Sequence, residues 1–259
     1  VRRNEMLKLS ACIESLFKGP YEERIRRSAS VGLKAFEFWG WGNKDIDAIK
    51  EVKDELGLEV ATFVCDTGGP LVDPANRERL IEGTRRSVEA AHKLGCKTLI
   101  VTTGNEIPGV SREEQHKSIV EGLKAVAPIV EEAGVTLVLE PLNTLVNHKG
   151  YYLWSSAEGF QIVDEIASPN VKLLYDIYHQ QIMEGNLIAT ITANIGKIGH
   201  FHVADVPGRH EPGTGEINYR NVFKAISESG YDGFIGLEYW PSREPEETLK
   251  EVMEIAAGL

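Results

Sequence analysis

Helical periodicity is cut off by a glycine and followed at once by a short apolar run at Val31-Gly32-Leu33, Leu56-Gly57-Leu58, Leu94-Gly95-Cys96 and Ala133-Gly134-Val135. Gly230 closes a later helical run in the same way. Glycine just past a helix adopts the left-handed conformation at little cost, so each junction reads as a helix stop and a tight turn into a strand. A chain that keeps returning from helix to strand builds a parallel sheet, because parallel neighbours need a crossover and the crossover is the helix.

The apolar runs are Lys8–Ile13, Ala35–Trp39, Glu59–Cys65, Thr98–Thr103, Thr136–Leu142, Val171–Tyr175, Ile198–Ala204 and Phe234–Tyr239. They are near-continuous rather than alternating, as strands buried on both faces are. Helical patterns fall at Asp45–Leu56, Arg77–Leu94, Arg112–Ala133, Asn218–Ser229 and Glu246–Ala257. In the first of these Ile46, Ile49, Val52, Lys53 and Leu56 share a face. Eight alternations within 259 residues match a single (β/α)8 TIM barrel in size and count. An open doubly wound sheet would carry a glycine-rich phosphate turn after its first strand. Here that strand runs into Glu14-Ser15-Leu16-Phe17-Lys18-Gly19-Pro20 instead. Neither a Walker A motif, a G-x-S-x-G elbow nor H-E-x-x-H occurs. No linker interrupts the series, so residues 7–259 read as one barrel domain and residues 1–6 as a short N-terminal extension.

With 28 Lys+Arg against 39 Asp+Glu the formal charge is −11, which argues against a nucleic-acid backbone as partner. Cys12, Cys65 and Cys96 form no C-x-x-C pair and no disulfide framework, which points to a reducing, cytoplasmic setting. No apolar run approaches the roughly 18 residues of a membrane span, and the basic N-terminus lacks the apolar segment of a signal peptide.

In a barrel the carboxyl ends of the strands converge on one mouth. The fifth run ends Leu139-Glu140-Pro141 and the sixth Tyr175-Asp176-Ile177. The seventh reads His200-Phe201-His202-Val203, and the eighth ends Leu237-Glu238-Tyr239. One acid at a strand end is usually a helix cap or an ion-pair partner. Acids and a histidine on consecutive strands at one rim are different, because unpaired they would repel and be costly to bury. A divalent cation removes the conflict. Three carboxylates and an imidazole suit Mg²⁺ or Mn²⁺, with Co²⁺ or Zn²⁺ also acceptable. His202 stands nearer the rim than His200, which reads as a hydrogen-bonded core histidine. Glu37, in Phe36-Glu37-Phe38, reads as a buried residue supporting the site.

The segments HFHVADVPGRHEPGTGEINY (His200–Tyr219), LEPLN (Leu139–Asn143), LLYDIYHQQIMEGN (Leu173–Asn186) and IGLEYWP (Ile235–Pro241) resemble the hydroxypyruvate isomerase family. The likeness runs from LSACIESLF (Leu9–Phe17) onward, and ketose 3-epimerases are near relatives in the xylose-isomerase-like superfamily. That resemblance implies Glu140, Asp176, His202 and Glu238 as metal ligands and Glu140 and Glu238 as the acid–base pair. It implies interconversion of hydroxypyruvate and 2-hydroxy-3-oxopropanoate (tartronate semialdehyde) through a metal-stabilised enediolate, in a homodimer or homotetramer. It also implies that His179 contacts a substrate oxygen; a loop histidine bonding the backbone is the alternative. Arg209 is read as a fork for a substrate carboxylate or hydroxyl, against an ion pair with Glu211 or Glu216.

The alternative reaction is 3-epimerisation of a ketose, or isomerisation of a related 2-oxo sugar acid. The 3-epimerases carry an acid six positions beyond the strand-five ligand where this chain has Val146, and Asn143 stands nearby as a polar substitute. A DNA-repair nuclease of this fold would need further histidines and basic loops. A non-catalytic sugar-binding barrel is the remaining class. Trp39, Trp41 and Cys65 are expected to wall the pocket, and Cys12 and Cys96 to be inert core residues.

Overall fold

The computed structural model describes residues 7–258, so the expected extension at residues 1–6 lies outside it. The strands are β1 (Lys8–Cys12), β2 (Ala35–Gly40), β3 (Glu59–Val64), β4 (Thr98–Val101), β5 (Thr136–Leu139), β6 (Val171–Asp176), β7 (Ile198–Val203) and β8 (Phe234–Leu237). They pair in parallel in sequence order, and β1 pairs with β8 to close the barrel. The helices are α1 (Ile13–Leu16), α2 (Tyr21–Ser30), α3 (Ile46–Leu56), α4 (Arg77–Leu94), α5 (Arg112–Ala133), α6 (Ser156–Ile166), α7 (Ile177–Met183), α8 (Leu187–Asn194), α9 (Tyr219–Glu228) and α10 (Pro245–Ala257).

Local signals account for these boundaries. Asp45 accepts the Ala48 N–H to start α3, and Gly57 ends it at φ +63°. Ser111 and Glu114 close a reciprocal capping box on α5. Asp176 ends β6 and accepts the His179 N–H, so the chain passes straight from strand into α7. His179 therefore sits in the first turn of a helix, not in a loop as its sequence position indicated.

Alternation along the strands separates two apolar layers. Outward residues such as Leu137, Leu139, Leu173 and Val203 pack under the helices. Inside the barrel Ile100, Val138 and Leu174 form a smaller cluster against Val64 on the β3–β6 side. The β7–β8–β1–β2 side of the interior is polar and carries buried His200, Ser10 and Glu37. Among the described residues no helix is long and apolar enough to cross a membrane.

The helix layer approaches the strand-end loops closely at one glycine. A Cβ on Gly83 of α4 would fall 2.2 Å from the Asp66 carbonyl oxygen. Gly83→Ala is expected to destabilise the protein by about 1–3 kcal/mol, because backbone rather than a mobile side chain must yield. Urea unfolding measures this; an unchanged midpoint would show that α4 retreats freely.

Candidate metal centre and active site

Strand register brings the rim residues level. Asp176 of β6 pairs with His202 of β7, and His202 pairs with Gly236 of β8, one inward position before Glu238. The Glu140 N–H continues the ladder to Val101 O, and that of Glu238 to Val203 O. Glu140, Asp176, His202 and Glu238 thus meet at the mouth, each offering a donor atom within 4.8 Å of the others. All four are buried, with Glu140 and Glu238 at 8% and 7% exposure. His202 Nδ1 lies 3.4 Å from Glu140 Oε1 and 3.3 Å from Glu238 Oε2, and Nε2 lies 2.9 Å from Glu37 Oε1. Neither ring nitrogen closes a well-aligned hydrogen bond. A buried imidazole nitrogen without a bond, facing three carboxylates, fits a divalent cation.

Arg209 neutralises part of this charge. Its guanidinium pairs with Glu238 and lies 3.5 Å from Asp176 Oδ2, over the Tyr178 ring at 5.1 Å. It does not pair with Glu211, which is held by Ser242, nor with Glu216, which accepts from Gln181. Burial works to raise the pKa of Glu238, but Arg209 and His202 outweigh it and hold the carboxyl well below the usual range. Burial pushes Asp176 upward, only partly offset by Arg209 and His202. Burial would lower His202, yet Glu238 and Glu37 drive it well above the ordinary histidine value.

His179 is fully buried beside the cluster. Its Nδ1 faces the Asn143 side-chain amide at 2.6 Å and accepts from the Asn143 backbone N–H at 3.2 Å. Nδ1 is therefore the acceptor, and the proton sits on Nε2, which has no hydrogen-bond partner and stands 3.5 Å from Asp176 Oδ2. Burial, then Arg209, lowers its pKa to about 3, so the ring is neutral. Asn143 is not a pocket-lining polar group: it is fully buried, and its Oδ1 accepts the Val146 and Asn147 N–H groups. It shapes the β5–α6 loop and orients His179.

Some residues fall elsewhere than the sequence indicated. Cys65 Sγ lies 3.9 Å from Thr84 of α4 and belongs to the strand–helix layer. Trp41 donates to Ser87 of the same helix. Trp39 does reach the site, its indole N–H donating to Glu238 Oε1 at 2.7 Å, and it packs edge-on against Trp240. Cys12, read as inert core, has its Sγ 4.0 Å from the same carboxylate oxygen. Burial, then Glu238, raises its pKa, so it remains a thiol. The signal for Cys12 was available: it ends β1, as Asp176 ends β6. His148, whose ring meets that of His179 at 5.4 Å, had no such signal because its loop is irregular.

A parallel eight-stranded barrel with acids and a histidine gathered at its carboxyl mouth defines a class of barrel proteins. The chain belongs to the xylose isomerase-like TIM barrel family, whose model matches residues 25–257. It is 34% identical to the hydroxypyruvate isomerase of Escherichia coli over 95% of this chain and 98% of that one. It is 30% identical to a 2-oxo-tetronate isomerase of Pectobacterium atrosepticum over 94% and 96%. A Brucella melitensis crystal structure described as an AP endonuclease, family 2, superposes with a TM-score of 0.90 at 30% identity, covering 94% of this chain and 97% of that one. With these relatives the chain is an enzyme of the isomerase and epimerase type.

Proposed function

We propose that the enzyme is a divalent-metal-dependent isomerase of small 2-oxo acids, interconverting hydroxypyruvate and 2-hydroxy-3-oxopropanoate. The observation that carries this reading is the convergence of Glu140, Asp176, His202 and Glu238 within 4.8 Å, beside an unpartnered His179 Nε2–H and a half-engaged Arg209. The names of the bacterial relatives support it.

Those four residues would hold Mg²⁺ or Mn²⁺. A bound cation supplies Lewis-acid polarisation of the adjacent carbonyl and hydroxyl oxygens, worth several kcal/mol in the transition state. Everything else falls to the chain. Glu238 is engaged by Trp39 and Arg209, whereas Glu140 carries neither contact and is assigned removal of the proton from C3 and its return to C2. Glu238, on the opposite side of His202, serves the hydroxyl proton. His179 donates its Nε2–H to a substrate oxygen. Arg209 forks onto the substrate carboxylate and offsets the field of a protein with charge −11.

Ketose 3-epimerisation uses the same two glutamates on opposite faces and is the competing reaction. A nuclease needs a basic track for the phosphate backbone, against which the net charge works. The deciding experiment incubates hydroxypyruvate and free ketoses with Mg²⁺, Mn²⁺ or Co²⁺ in D2O. The isomerase converts hydroxypyruvate to the aldehyde with proton transfer from C3 to C2. Inversion at C3 of a ketose with deuterium uptake, and no turnover of hydroxypyruvate, would replace this reading by the epimerase.

Arg209→Lys provides an independent check. A bidentate fork becomes a point charge, so KM for hydroxypyruvate is expected to rise roughly 10–100-fold, while any turnover of neutral ketoses changes less. Equal effects on both substrate types would remove Arg209 from carboxylate recognition.

A further inference from the structure

One layer below the rim lies a charged side chain to which the proposed chemistry gives no part. Glu37 of β2 is 2% exposed in the barrel interior. Its Oε2 accepts the Ser10 hydroxyl at 2.7 Å and lies 3.0 Å from His200 Nε2. Its Oε1 lies 2.9 Å from His202 Nε2. One carboxylate therefore faces two imidazoles, whose rings meet edge to face at 5.2 Å. Gly236 makes the room: a Cβ there would stand 2.2 Å from Glu37 Oε1, the oxygen that faces His202.

We propose that Glu37 is a positioning residue, whose carboxylate keeps the His202 proton on Nε2 and so presents the Nδ1 lone pair to the cation shared with Glu140, Asp176 and Glu238. This rests on the metal-dependent reading above. A carboxylate accepts and cannot donate, so a neutral imidazole whose Nε2 stands 2.9 Å from it keeps its proton on that side, although the contact is too bent to count as a full hydrogen bond. The carboxylates on the Nδ1 side are more distant, at 3.3 and 3.4 Å, and are themselves the groups a cation would draw away. A ligand histidine whose far nitrogen is held by a carboxylate gains basicity and a fixed orientation.

The test measures metal binding without substrate. Chelator-stripped protein is titrated with Mn²⁺ by calorimetry, with near-ultraviolet circular dichroism confirming native packing. Wild-type protein should bind one equivalent. Glu37→Gln is expected to bind about 10–100-fold more weakly. Gly236→Ala, which retains every ligand and Glu37 itself but displaces the whole Glu37 carboxylate, Oε1 most, should weaken binding in the same direction. Ser10→Ala, which touches only Oε2, should lose less than either. In Mg²⁺-loaded, ¹⁵N-histidine-labelled wild-type protein His202 should show a protonated Nε2 and an unprotonated Nδ1; Glu37→Leu at the same Mg²⁺ concentration should retain that signal only in part, the remainder belonging to metal-free protein. If Glu37→Leu does not fold, the isosteric Glu37→Gln titration decides. Folded variants that bind Mn²⁺ as tightly as wild type would overturn the role of Glu37 and leave the metal reading standing. A wild-type protein that binds no Mn²⁺ would overturn both.

Discussion

Replacing Glu140 by glutamine is expected to lower kcat by about 10²–10⁴-fold, and Glu238→Gln should do the same. Each substitution keeps the shape of the side chain and removes both its proton-transfer capacity and its charge. The two carboxylates flank His202 Nδ1 at 3.4 and 3.3 Å, so neither stands in reserve for the other. The variants should differ in stability. Glu238 is the nearer partner of Arg209, whose guanidinium is largely buried, so Glu238→Gln leaves a charge with only Asp176 beside it and lowers the melting temperature. Glu140→Gln removes a more distant and weaker partner of Arg209 and should lower the melting temperature less. Steady-state kinetics with hydroxypyruvate and thermal melts measure both effects. A folded variant turning over at near-native rate would remove that glutamate from the proton-transfer scheme.

Stripping the protein with a chelator is expected to abolish turnover, and Mg²⁺ or Mn²⁺ to restore it. The same ion should raise the melting temperature. At a free concentration of 100 times Kd, binding to the folded state alone adds about 2.7 kcal/mol. For a chain of this size that corresponds to roughly 5–10 °C. The shift should vanish in Asp176→Asn and His202→Asn, which remove a donor from the cluster. A wild-type melting temperature that ignores added metal, together with turnover that survives chelation, would end the metal-dependent reading. The two observations together also separate a catalytic cation from one that only braces the fold.

Much of the architecture is legible in the sequence alone. All eight expected strands occur, and Arg77–Leu94 and Arg112–Ala133 match their helices at both ends. Gly57, Gly95 and Gly134 end helices in the left-handed conformation. Such features are short-range: a cap, a glycine and an apolar period lie within a few residues of one another, and the backbone responds to them locally. The short helix α7, seven residues long, shows no apolar period of its own, and Asp176 before it is a ligand candidate. It is also the cap that accepts the His179 N–H, and a single strand-end acid fills both places.

The candidate site divides along the same line. Its four donor residues could be named from the sequence because each ends or nearly ends a strand, and closure of a parallel barrel carries such positions to one rim. The partners of those side chains were not legible. Arg209 could equally have turned to Glu211 or Glu216; only the path of the β7–α9 connection places it on Glu238. Cys12 stands 226 positions from the carboxylate it faces, and Glu37 163 positions from His200. Such pairs are set by how far each strand is staggered against the next around the closed sheet. That stagger comes from packing of the whole interior, so no local stretch of sequence encodes it. The order of the elements and the kinds of chemical group at the mouth belong to the sequence; which nitrogen, oxygen or sulfur meets which was decided when the barrel closed.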